Sequence, residues 1–147
     1  MRTILLLFLI GLSLSYNPGA AVAYARKYCS NYNNAYENYA SMGGDCANFV
    51  SQCMIAGGFS FKGCSGWVDY YGCMPRVIEQ KNCLKSKGWK EYTSRPNCFK
   101  AGYPFFFGDS HAVLASFVSG SNIKYCGHTY DRCDHPLSDS VLYYCPQ

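Results

Sequence analysis

The sequence predicts a disulfide-rich α+β fold, with helices first and an antiparallel sheet after them. Three observations predict it. Apolar residues recur at helical spacing in the N-terminal part of the chain. Strand-forming runs bounded by turn residues fill the C-terminal third. Ten cysteines stand in 147 residues.

The chain opens Met1-Arg2-Thr3 and then runs apolar from Ile4 to Leu14, interrupted by Gly11 and Ser13. Ser13-Leu14-Ser15 ends the run with small residues flanking one apolar residue. A basic start, a short apolar stretch and a small-x-small end predict a secretory signal peptide over residues 1–15. The stretch is too short to cross about 30 Å of hydrocarbon as a helix. Residues 16–147 then form a single domain. Ten cysteines in such a chain predict disulfides and a secreted protein, or one in the lumen of a degradative compartment.

Asn17-Pro18 reads as N-cap and first helical position. Ala21, Val22, Tyr24, Ala25 and Tyr28 continue at helical spacing, predicting a helix from Pro18 to about Cys29. Asn31 to Met42 reads as a Tyr- and Asn-rich surface loop with a turn of helix. Gly43-Gly44 breaks the chain, and Asp45 can cap a second helix. In it Cys46, Phe49, Val50, Cys53 and Met54 form one buried face, and Gly57-Gly58 ends it. A short helix is expected around Pro75 to Ser86, with loops pinned by cysteines elsewhere between Phe59 and Ala101. Strands are expected over Pro104–Phe107, His111–Val118, Ile123–His128 and Val141–Tyr144. A hairpin turn is expected at Ser119–Asn122.

Cys46 is the candidate nucleophile. A thiol attacks as thiolate, and a helix N-terminus favours that form through its dipole and free N–H groups. The same N–H groups can stabilise an oxyanion. A disulfide is the competing fate of Cys46. The base is sought among His111, His128 and His135. A two- or four-residue connection centred on Gly120-Ser121 places His128 opposite Val113, so His128 and His111 share a sheet face, about 7–8 Å apart at the backbone. One imidazole could take the thiol proton and the other orient it. His135, before Pro136, reads as a surface residue.

Cys126-x-His128 and Cys133-x-His135 lack the tighter paired spacings of structural zinc sites. No metal or other cofactor is expected. A net charge of +4 with no basic run gives no argument for nucleic acid. No membrane association is expected once the signal is removed, and the protein is expected to be a monomer. With Cys46 set aside, nine cysteines allow at most four bridges. Local spacing suggests Cys64–Cys73 and Cys83–Cys98. Cys53 and Cys126 read as either a bridge between helix and sheet or two buried thiols.

The residues in hand resemble the putative amidase domain family. The resemblance rests on Tyr16-Asn17-Pro18, Ala21 to Ala25, the block Gly43-Gly44-Asp45-Cys46-Ala47-Asn48-Phe49-Val50-Ser51-Gln52, Ala56-Gly57-Gly58, Ser110-His111-Ala112, and His128 to Arg132 with Pro136 to Asp139. The Asp-Cys block is its most specific part. Pro18, Ala47 and Tyr103 depart from the residues usual there (Arg, Thr or Ser, and Asp).

That family is similar to the NlpC-type cell-wall cysteine peptidases of the papain-like superfamily. The resemblance implies a helix bearing the nucleophile packed on an antiparallel sheet. It implies Cys46 as nucleophile, His111 as base and His128 as the orienting third residue. Asp45 and Asn48, flanking the thiol, are expected at the substrate and oxyanion position. The implied reaction is hydrolysis of amide bonds in bacterial peptidoglycan peptides through a thioester. The competing expectations are a non-catalytic, disulfide-rich binding module of the same fold, suited by the fourteen tyrosines, and a thiol acyltransferase or transpeptidase.

Overall fold

A computed structural model describes residues 15–147. The expected signal peptide lies almost wholly outside the described residues. Among the described residues, three helices precede and flank a six-stranded antiparallel sheet, an α+β arrangement. The helices are α1 (Pro18–Tyr28), α2 (Cys46–Ala56) and α3 (Val77–Ser86). The strands are β1 (Trp89–Tyr92), β2 (Pro104–Phe107), β3 (His111–Ser119), β4 (Asn122–Gly127), β5 (Arg132–Pro136) and β6 (Leu142–Pro146), in the spatial order β1-β6-β2-β3-β4-β5. No helix among the described residues is long and apolar enough to cross a membrane.

α1 starts as the sequence predicts. The Asn17 side chain accepts from the Ala20 N–H, and Pro18 opens the first turn. Tyr16, next to the cap, anchors this same end of α1. Its hydroxyl donates to the Gly102 carbonyl at 2.6 Å, and its ring packs edge-on against Trp89.

α2 differs from expectation. Every residue from Cys46 to Met54 is buried, not one face alone. The reason is its place between α1, α3 and the sheet: Tyr24 of α1 donates to Gln52, and Gln80 of α3 donates to the Ala47 carbonyl and Ser51. Its polar residues are buried because neighbouring helices satisfy them.

Two strands were not expected. β1 is a four-residue edge strand paired with β6. β5 carries Arg, Asp, His and Pro, and Asp134 sits at a positive φ of 47°. Nothing in its own propensities favours a strand. It pairs with β4 at the sheet edge and is tied to α1 through the Cys29–Cys133 disulfide.

Among the described residues three disulfides form: Cys29–Cys133, Cys64–Cys83 and Cys98–Cys145. The expected local pairs Cys64–Cys73 and Cys83–Cys98 are therefore wrong. Cys64 is bonded to α3 and Cys98 to β6, because the intervening loop folds back on those elements. Cys53 and Cys126 are buried free thiols rather than a bridge, and burial pushes both thiols to higher pKa.

Cys29–Cys133 closes a loop of 104 residues. Replacing both with Ser is expected to lower stability by about 2–5 kcal/mol. Urea unfolding of the oxidised wild type against the double variant checks this, and equal midpoints would refute it.

Of the two expected connections, the hairpin β3–β4 has the two-residue turn, with Ser119 opposite Asn122. The predicted register holds as far as Phe117 opposite Lys124. A bulge at Ser116 then shifts it by one residue, so Leu114 faces Cys126. The Ser116 carbonyl is held instead by Nη2 of Arg26 on α1, at 3.0 Å.

Candidate active site

Gly43 and Gly44 adopt φ of 106° and 116°, conformations that side chains disfavour. They turn the chain so that α2 begins at Cys46. Cys46 is 8% exposed, outside every disulfide, and on the wall of a cleft of about 520 Å³. Gly44, Arg76, Glu79, Asp109 and Ser110 also line this cleft. The other free thiols, Cys53, Cys73 and Cys126, are fully buried, and their pKa values are raised chiefly by that burial. Only Cys46 of the four meets an open surface.

Asp45 occupies the N-cap position, yet its side chain makes no cap bond to α2. Its Oδ1 accepts from the Tyr39 N–H and from Asn48 Nδ2, each at 2.9 Å. Its Oδ2 lies 2.5 Å from His128 Nδ1. The first N–H groups of α2 are thereby left without a side-chain acceptor beside the thiol.

His128 is 1% exposed and both its nitrogens are engaged. Nε2 lies 2.7 Å from the Tyr28 carbonyl, which can only accept, so Nε2 carries a proton. The ring is stacked between Tyr32 and Phe49, each with its centroid 3.9 Å away.

This corrects three sequence-derived expectations. Asp45 and Asn48 are buried, at 1% and 0% exposure, and face the interior rather than the cleft. Asn48 Nδ2 is spent on the Glu37 carbonyl and on Asp45. His128 and His111 do not share a face. The Ser116 bulge sets Ala112, Leu114 and Cys126 on the face toward the helices, where Cys126 and Cys53 are both fully buried. His111 then lies with Val113 on the other face, beside Phe107 and Tyr130.

His111 lines a second cleft of about 390 Å³ with Tyr125, Arg132 and His135. His135, expected at the surface, is half-buried on β5 against Tyr125. No hydrogen bond joins Cys46 to an imidazole among the described residues. Ser110, in the β2–β3 turn, borders both clefts, so Cys46 and His111 flank the same turn from opposite sides. Lys81 holds that turn, contacting Asp109 at 2.6 Å and the Gly108 carbonyl at 3.4 Å.

Burial lowers the His111 pKa, because the charged imidazolium loses water. The folded state thus binds this proton less readily than the unfolded chain. Stability on this account is full above the ordinary histidine value and declines as pH falls through it, until the lowered value is passed. Proton NMR is expected to show His111 titrating below a free histidine. Between about pH 7.5 and about pH 5, His111→Ala should lose less stability than wild type. A His111 titration at or above the ordinary value would contradict this.

Sequence reasoning missed Arg76, Glu79, Asp109 and Ser110 as walls of the Cys46 cleft. No local signal marks them, since α3 and the β2–β3 turn meet only through tertiary folding. It also missed the stacking of Tyr32 on His128, which depends on how the loop after α1 returns.

A helix-start thiol at an open cleft, on a helix seated against an antiparallel sheet, defines the site as that of a thiol-bearing α+β domain. The chain belongs to the putative amidase domain family, whose model matches residues 15–103. The chain is also similar to the uncharacterized protein YhbB of Bacillus subtilis (strain 168), at 39% identity over 61 residues. That match covers 39% of this chain and 19% of YhbB, so the chain spans about a fifth of that relative's length. No solved structure matches the chain.

Proposed function

We propose that the protein is a secreted cysteine amidase or peptidase of papain-like type, acting on amide bonds of bacterial peptidoglycan peptides. One observation carries this reading. Of the free cysteines, Cys46 alone opens a helix and reaches a cleft, in a chain of the amidase family. Cys46 Sγ bonds to the amide carbonyl carbon, and the α2 N–H groups receive the developing oxyanion. The C–N bond breaks, and the thiol proton leaves with the amine. Water then cleaves the thioester, returning a proton to Sγ and releasing the acid.

His111 is the proton carrier in this reading. It must turn from the far face of the sheet to the Cys46 side, pivoting at the β2–β3 turn. Gly108, at φ 58°, begins that turn. Asp45 and His128 act as positioning residues that hold the start of α2. The three disulfides suit an oxidising compartment.

A second reading has its own support. His111 faces away from Cys46 and His128 is fully engaged, as in a binding module that keeps the fold without the reaction. Iodoacetamide labelling of the native, oxidised protein separates the two. The enzyme reading expects rapid alkylation at Cys46 alone, slowed in His111→Ala, and peptide release from purified sacculi. Sluggish Cys46 labelling indifferent to His111, with no release, would leave the binding module.

A further inference from the structure

The loop between α2 and α3 carries an open cleft of about 620 Å³, separate from the thiol and unused by the chemistry above. Its rim holds Trp67, Tyr70 and Tyr71, which are 43%, 96% and 45% exposed. Such exposure of adjacent large rings needs a reason, since burying them elsewhere would stabilise the fold.

The rings stand on a rigid base. Asp69 Oδ1 accepts from the N–H groups of Tyr71 and Cys73, each at 2.9 Å, and Oδ2 accepts from the Tyr39 hydroxyl. Glu79 Oε2 accepts from the Trp67 N–H at 2.8 Å. Tyr39 meets Trp67 edge-on, and the Arg76 guanidinium lies 5.3 Å from the Trp67 ring. The Cys64–Cys83 disulfide fastens the loop to α3. Little ordering remains to be paid for on binding.

The two clefts share no lining residue, but they are joined through the side chains that hold Trp67. Arg76 and Glu79, which hold Trp67, also line the Cys46 cleft. Seven large hydrophobic side chains are exposed among the described residues, and five border these two clefts: Met42 and Ile78 beside Cys46, and the three rings of the loop. The remaining two, Phe117 and Tyr130, lie on or near the sheet.

The charge pattern selects the occupant. Asp69 and Lys62 are the charged residues lining the aromatic cleft, and the Asp69 carboxylate is spent on Tyr71 and Cys73 of the loop and on the Tyr39 hydroxyl. A cationic ligand finds no free carboxylate there, and a lone Lys62 ammonium gives an anionic one a single charge to pair with. An uncharged sugar ring offers apolar C–H faces to stack on aromatic rings and hydroxyls to bond to backbone groups. The geometry points to a glycan-binding platform at Trp67, Tyr70 and Tyr71, which holds the sugar strand of a polymer while its peptide branch enters the Cys46 cleft. The link to the peptide branch rests on the reading of Cys46 above. The glycan site itself does not.

The test uses the oxidised Cys46→Ala protein, so that binding is read without turnover. The probe is the hexamer of β-1,4-linked N-acetylglucosamine, titrated by calorimetry and by tryptophan fluorescence. Saturable binding is expected, with a change in Trp67 emission. Tyr70→Ala should weaken it about tenfold, a loss of one stacking contact. Tyr70 is almost wholly exposed, so this variant keeps the fold. Phe117→Ala, altering an exposed ring elsewhere, should bind as the parent does.

Binding that is absent at millimolar hexamer, or unchanged in Tyr70→Ala, overturns the proposal. So does Tyr70-dependent binding of the free stem peptide in preference to the sugar. Glycan binding by a protein that releases no peptide would sink the hydrolase reading and leave the platform standing. Hydrolysis without glycan binding would do the reverse.

Discussion

Asp45→Ala is expected to destabilise the protein by about 3–5 kcal/mol, because it leaves His128 buried without its partner. The carboxylate serves three elements at once. It receives the Tyr39 N–H from the loop after α1, the Asn48 amide from α2, and His128 from the end of β4. Removing it strands all three groups where water does not reach. A loss of that size takes a large share of the roughly 5–15 kcal/mol by which domains are stable.

Asp45→Asn should lose much less. With Nε2 protonated toward the Tyr28 carbonyl, a neutral His128 can accept at Nδ1 from the new amide. Urea unfolding of the three proteins checks this ordering. Equal losses in Ala and Asn variants would show that charge, rather than hydrogen bonding, holds the start of α2.

The second large effect is on activity. Cys46→Ala is expected to lower amide hydrolysis by about a thousandfold or more, since covalent attack has no substitute in the cleft. The fold should survive, because Cys46 makes no disulfide and sits at the rim of the core. Release of muropeptide products from sacculi, followed by mass spectrometry, measures the loss.

His111→Ala sharpens the result. If His111 crosses the β2–β3 turn to serve the thiol, the two single variants and the double variant should be about equally inactive, as groups acting as one unit are. Wild-type activity in Cys46→Ala would remove Cys46 from the mechanism. Unchanged activity in His111→Ala would leave the thiol to act with another base.

Much of the scaffold was legible in the residues. Asn17-Pro18 marks the start of α1, and Gly43-Gly44-Asp45 marks the break before α2. Gly120-Ser121 makes the two-residue turn of β3–β4. These are local signals, in which one side chain or one φ decides the outcome. β5 was not legible, because a polar segment with Asp134 at positive φ becomes a strand only when β4 and Cys29 receive it. The disulfide partners were equally hidden, since they join elements distant in sequence.

The sequence by itself determined the α+β order of elements, the helix start at Cys46 and the family. Tertiary structure alone decided which residues reach that thiol. The two-residue turn implied one register for β3 and β4, and that register would have put His111 and His128 together. Arg26 of α1 instead takes the Ser116 carbonyl, and the strand bulges there. A one-residue shift reverses every side chain beyond it, because strand side chains alternate. Thus a contact from another element sends His128 inward to Asp45 and His111 to the opposite face, and no local pattern in β3 or β4 records it.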